Sequence, residues 1–187
     1  RIAVAGFEAI NKKSSRNEDW LATVQKMKNP DGTYGKGDGQ ARDTGGAVVA
    51  TLRMGAKLDD KEKDAVLKAL NIGQRDDGGF GKADAKTSDL ETSYRVMRAY
   101  WMLKARPDTG KLTGFIAKCR NEDGGYTYVI SPVDPGVANW IDSDGLSEGI
   151  LTLRMAEFGE AGPQPDLGAR GRVVKLDRLD TEVPSLH

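Results

Sequence analysis

The stretch QRDDGGFG, residues 74–81, sets an acid, a pair of glycines and an aromatic ring side by side, and it has two relatives in the chain: KNPDGTYG at 28–35 and RNEDGGYT at 120–127. Asp77, Gly78 and Phe80 recur as Asp31, Gly32 and Tyr34 and again as Asp123, Gly124 and Tyr126, each copy 46 residues from the next. A fixed period of that length marks stacked supersecondary units, not a lone catalytic loop. The residue types suit a tight reversal, because glycine admits positive φ and the acid can bond the turn's amides. Tyr34, Phe80 and Tyr126 are therefore expected in equivalent packed positions.

Around each marker the same parts follow in order. LDDKEKDAVLKAL (58–70) has Asp59 and Asp60 as candidate N-caps and one apolar stripe in Ala65, Val66, Ala69 and Leu70, the pattern of an outer helix with a wet face. DLETSYRVMRAYWMLKA (89–105) carries a seam of Leu90, Tyr94, Met97 and Trp101, widened by Val96, Ala99, Tyr100 and Leu103, so it reads as an enclosed inner helix capped by Asp89. Its equivalents are 43–58, headed by Asp43, and 144–159, headed by Asp144. The opening RIAVAGFEAI resembles the end of one more inner helix, and Ser15 with Glu18 forms a candidate capping box for the helix around Trp20. The sum is about three and a half helix pairs.

Composition narrows the function. Lys and Arg number 28 against 28 Asp and Glu, so no basic field favours nucleic acid or an anionic membrane. No apolar run approaches the roughly 18 residues a membrane span requires, and the chain reads as soluble. One cysteine, Cys119, excludes an internal disulfide and any multi-cysteine zinc site. The chain opens in mid-pattern, which leads to the expectation of residues upstream, removed as an export signal or by proteolysis. The compartment stays open.

GQRDDGGFGKADAKTSDLETSYRVMRAYWMLK (73–104) resembles the repeat shared by protein prenyltransferase β subunits and squalene or terpene cyclases, in which a Gln, two residues and DGGFG precede an inner helix. Gln74 matches the motif Gln; Lys28 and Arg120 replace it in the other units. The resemblance spans residues 18 to 158 and implies an all-α, α/α-toroid array. Inner helices would line an apolar cavity, and a full ring has about six pairs. The expectation is a partial ring over 1–161 with an extended tail over 162–187, completed by upstream residues, a protein partner or a second copy.

The family's functions rest on residues that this chain matches unevenly. Zinc-dependent prenyltransferases hold their metal with an Asp, a Cys and a His, since zinc needs at least three protein ligands and an open position. Here the lone histidine is the terminal His187, and Cys119 reads as a buried packing residue, so no metal and no cofactor are expected. Proton-initiated cyclases use DxDD at the start of an inner helix. IDSDGLSEG (141–149) supplies Asp142 and Asp144, but Gly145 replaces the last acid, and Asp144 as a catalytic acid competes with Asp144 as a helix cap. Asp142, Asp144 and Glu148 together would make a weak cation site.

Two further features stand out. Glu91, Arg95 and Arg98 share a helix face at i, i+4 and i+7, where the guanidinium groups could grip an anionic head such as a diphosphate. The plainer reading is a solvated Glu91–Arg95 pair; at the 46-residue spacing Val49 stands in for Arg95. The third linker, TYVISPVDPGVANWIDS, is about nine residues longer than the others, and long loops on rigid scaffolds often carry function. Trp140 in it is a candidate ligand contact. Removal of 129–139 is expected to leave helix content nearly unchanged, and RVVKLDRLD (172–180) alternates like a strand. The favoured function is a non-catalytic or accessory module binding an isoprenoid-like apolar ligand or a protein partner; the alternative is a fragment of a true prenyltransferase or cyclase.

Overall fold

The computed structural model describes residues 2–122, 124–143, 145 and 170–183. It is built from helix pairs: α1 (Ile2–Ala9), α2 (Asn17–Gln25), α3 (Gln40–Arg53), α4 (Asp60–Ile72), α5 (Leu90–Met102) and α6 (Thr109–Lys118). Two three-residue strands, β1 (Val129–Ser131) and β2 (Trp140–Asp142), pair in parallel, and a short α7 (Leu179–Glu182) follows a 3-10 turn at Leu176–Arg178. The domain boundary expected at 161/162 lies outside the described residues.

The three markers fold alike. In each, the glycine has φ near +90° (Gly32 +93°, Gly78 +95°, Gly124 +85°), a backbone region that disfavours any residue with a Cβ. Its N–H donates to the carbonyl three residues back, at Asn29, Arg75 and Asn121, each bond 2.9 Å. Those three residues then donate their own N–H groups to the carbonyls of Thr33, Gly79 and Gly125. Asp31 and Asp77 brace the turn as expected, Oδ1 accepting the N–H of Thr33 at 3.0 Å and of Gly79 at 2.9 Å.

The residue in the motif-Gln position ties each turn down. The Gln74 amide donates to Gly78 O (2.9 Å) and Asp108 O (3.0 Å) while its oxygen accepts the Asp108 N–H (3.0 Å), which joins the second turn to the N-cap of α6. Lys28 makes the corresponding link to Glu62 in the first turn of α4, and Arg120 Nε donates to Gly124 O at 2.8 Å.

Inner helices are set by a second device. Thr44 Oγ1 bonds both the N–H and the C=O of Tyr34 (3.0 and 2.8 Å), and Ser93 Oγ does the same for Phe80 (3.0 and 3.4 Å). These anchors are 49 residues apart, not 46. The N-caps of the outer helices, Asp59 and Asp108, keep the same 49-residue spacing, each accepting the N–H three residues on. The second linker is thus three residues longer than the first, and α6, with 10 residues against 13 in α4, absorbs the difference before the next turn.

That phase shift corrects one assignment. Asp43 does not cap α3; the helix begins at Gln40 behind Gly39, and Asp43 lies in its first turn. Asp89 does cap α5 through the Thr92 N–H at 2.7 Å. The expected Ser15–Glu18 box is also absent. Helix α2 starts at Asn17 with no side-chain cap, and the Arg16 N–H is taken by Ser14 Oγ. Asp59 with Glu62 does form a capping box on α4.

Helices α1, α3 and α5 share one C-terminal ending. Asn11, Gly55 and Lys104 have φ of 50°, 96° and 54°, and the next residue's N–H reaches back to Phe7, Thr51 and Tyr100. This left-handed cap satisfies carbonyls that the helix leaves free. It groups α1 with α3 and α5. Helices α3 and α5 pack closely because Gly45 and Gly46 are flat: a Cβ at Gly45 would lie 3.2 Å from Val96 Cα, and one at Gly46 would lie 3.4 Å from Arg95 Cδ.

The rotation of α5 differs from the expected seam. Its buried stripe is Thr92, Ser93, Val96, Ala99, Tyr100 and Leu103, whereas Tyr94 and Trp101 are 63% and 68% exposed. Both stripes are apolar enough to be inside, but Ser93 must face the turn to hold Phe80, and that bond selects the first. Phe80, with no exposed surface, then meets Tyr100 at 6.4 Å between ring centroids, among Val48, Val66, Leu70 and Val96. Tyr34 is 4% exposed, but Tyr126 is 44% exposed, so the third aromatic is not equivalent. No hydroxyl among the described residues clamps its backbone.

The long third linker is packed, not free. Ala138 O accepts the Leu90 N–H at the head of α5 (3.1 Å), and Asn139 Nδ2 reaches Cys119 O (2.8 Å). Val137, Trp140 and Leu179 form a small buried cluster with Val129 and Val183. The loop therefore carries buried contacts that its removal would delete. The tail likewise supplies Leu179 to this cluster from a short helix, and 172–180 is not a strand.

Phe80→Ala should cost about 3–5 kcal/mol, because it removes a fully buried ring, while Tyr126→Ala should cost about 1 kcal/mol or less. Urea unfolding of the two variants checks this; equal losses would show that exposure does not separate the two rings.

Candidate functional site

A cleft of about 740 Å³ lies where the end of α2 and the first turn meet α3. Val24, Met27, Ala47 and Ala50 give it apolar walls; Tyr34, Lys36, Arg42, Asp43 and Arg95 give it polar ones. Arg95 reaches the cleft over a glycine of α3. Counting 49 residues back from Arg95 gives Gly46, not Val49, and the missing side chain on α3 leaves room for the Arg95 stem.

The charges in the cleft are unequally satisfied. Arg95 donates Nε and Nη2 to Glu91 Oε1 at 3.1 and 2.6 Å, a close intrahelical pair. Arg42, from the neighbouring inner helix, stands 3.9 Å from both Glu91 Oε2 and Asp43 Oδ1. Those separations exceed hydrogen-bond range. Its Nε–H is buried and meets no acceptor, and an unsatisfied buried donor costs roughly 1–3 kcal/mol.

The structure thus joins Glu91 and Arg95 and separates Arg98, whose guanidinium stacks on Trp101 with 4.9 Å to the ring centroid. Trp140 is buried, its Nε1 donating to Ser131 O at 3.0 Å and its ring covered by Lys82 Nζ at 3.6 Å. Asp142 ends β2, and Asp144 and Glu148 lie outside the described residues, as does His187. Cys119 is buried beside Leu112 and Phe115, and burial pushes its thiol up to about 11. Among the described residues no three His, Cys, Asp or Glu side chains converge as metal ligands, and no helix is long and apolar enough to cross a membrane.

Sequence reasoning missed Arg42, Lys36 and the apolar lining. Arg42 was hidden by the assignment of Asp43 as a cap, which put Arg42 outside the helix. The usable signal was the hydroxyl pair Thr44 and Ser93, each following its marker and heading an apolar run.

The repeated turns, the paired helices and the shared inner-helix endings coincide with a family-model match. The model of the prenyltransferase alpha-alpha toroid domain covers residues 3–132. The chain belongs to the prenyltransferase α/α-toroid family. No curated protein and no solved structure matches it. The toroid match covers all three markers and ends within the long linker, so the cleft and its charged groups belong wholly to the family domain.

The head of α5, which carries Glu91 and Arg95, depends on Asp89. This carboxyl is 1% exposed; Oδ1 caps Thr92 and Oδ2 has no partner. Burial is the largest influence and raises its pKa above 3.8, against opposing pulls from Thr92 and Lys82. The folded protein then holds this proton more tightly than the unfolded chain, so its contribution to stability is most favourable at low pH and declines as pH rises through the raised value. Asp89→Asn keeps the cap without the buried charge. It should be more stable than the parent at pH 7, with the advantage vanishing below the ordinary carboxylate value of 3.8. Denaturant midpoints at both pH values check the sign.

Proposed function

We propose that this toroid-family chain is a non-catalytic binding module that takes an amphipathic ligand, an isoprenoid-like apolar chain with an anionic head, in the cleft between α2 and α3. The observation that carries the reading is the meeting of apolar walls with a guanidinium that lacks a hydrogen-bonded acceptor. A volume of about 740 Å³ falls in the range of small-molecule sites, roughly 300–1,000 Å³, which are mostly apolar with a few placed polar groups. Val24, Ala47 and Ala50 would cover the chain, and the arginine side would hold the head.

The non-catalytic part of the reading concerns the described lining of this cleft alone. General acid–base work needs a group whose pKa is tuned near the working pH. The described lining residues include neither His nor Cys, and their one carboxylate, Asp43, is exposed.

Calorimetric titration with farnesol, an uncharged C15 isoprenoid, tests the apolar part. Ala47→Phe should fill the cleft and weaken binding at least about tenfold, the scale of one lost apolar contact set, with the circular dichroism spectrum unchanged. Absence of farnesol binding by the parent, or indifference to Ala47→Phe, would reject the site. Turnover of an isoprenoid diphosphate by the purified chain would reject the non-catalytic reading.

A further inference from the structure

We infer that Met27 is a modification site that regulates the cleft: its oxidation to the sulfoxide by a peroxide makes the apolar rim polar and weakens ligand binding. The inference rests on the proposed cleft being a ligand site, and it concerns how that site is switched.

Met27 lies just beyond α2, and its N–H donates to Val24 O at 3.0 Å, so the helical turn continues through it. Residues three apart on such a turn share a face, and Val24 and Met27 both line the cleft, across from Ala47 and Ala50 of α3. They stand at different depths. Ala50 is 5% exposed and Val24 packs against two buried clusters, whereas Met27 is 63% exposed. Val24 and Ala50 form the floor, and Met27 forms the rim.

Among the described methionines this is the one open to solvent. Met54 is 3% exposed, and Met97 and Met102 are half-buried against the core. A dissolved peroxide therefore meets the Met27 sulfur first. A sulfur lone pair attacks one peroxide oxygen, and the S–O bond forms as the O–O bond breaks. The released hydroxide takes the proton of the transferred oxygen and leaves as water; sulfur loses the two electrons that the peroxide gains. The product carries a strong acceptor where the thioether offered an apolar surface. An apolar chain lying across the rim would strip water from that oxygen and supply no donor, and burying a polar group unpaired is costly. The same contact works in reverse, because a bound chain covers the sulfur and slows its oxidation.

The full chain treated with dilute hydrogen peroxide provides the test. Mass mapping should find Met27 modified ahead of Met54, Met97 and Met102, and farnesol should slow that modification. Calorimetric titration of the oxidised chain with farnesol should show an affinity about fivefold or more weaker, the scale of one polar group left unpaired, with the circular dichroism spectrum unchanged. Met27→Leu retains every other methionine, and peroxide should not change its affinity. Met27→Gln, polar and of similar length, should bind as weakly as the oxidised parent. Modification of Met54, Met97 or Met102 ahead of Met27, an affinity that survives conversion of Met27, or a loss that Met27→Leu suffers equally overturns the redox assignment, while farnesol binding by the untreated parent upholds the cleft. Absence of that binding overturns both.

Discussion

The architecture depends on a small bond: a hydroxyl on each of α3 and α5 that grips both backbone polar groups of the turn aromatic before it. Thr44 holds Tyr34 and Ser93 holds Phe80. Buried backbone N–H and C=O groups must find partners, and here one side chain supplies both. The bond does two further things. It seats the ring in the core, and it fixes the rotation of the inner helix about its axis, which decides which of its faces is inside.

From that rotation the rest follows. With Ser93 turned toward Phe80, Val96, Ala99, Tyr100 and Leu103 enter the core, and Tyr94 and Trp101 are left outside. With Val96 inward, α5 can lie against the flat Gly45–Gly46 surface of α3, and Arg95 passes over Gly46 into the cleft. The two residues that meet there, Arg95 and Gly46, are 49 residues apart, the same spacing as the Thr44 and Ser93 anchors. A variation that the outer helix α6 later cancels is therefore retained where the two inner helices meet.

Charged groups from both inner helices meet beside the cleft. Glu91 is bonded to Arg95 and lies at longer range from Arg42, which has Asp43 at the same 3.9 Å. The toroid family supplies the scaffold of stacked pairs, and charged groups on α3 and α5 give the cleft its polarity.

The sequence by itself determined the repeat, the turn chemistry, the helical class and the family, because glycine, acid and ring at a 46-residue period leave few structures open. It also identified the Glu91–Arg95 pair, since i, i+4 spacing is a local property of a helix. Tertiary structure alone decided the rotation of α5, the partnership of Arg42 with that pair, and the seating of Trp140 and the long linker. Periodicity could not choose between two apolar stripes on one helix, and a constant 46-residue count concealed a 49-residue spacing between the groups that pack. Those outcomes turn on contacts between residues distant in the chain, where one hydroxyl's bond outweighs the apolar content of a helix face.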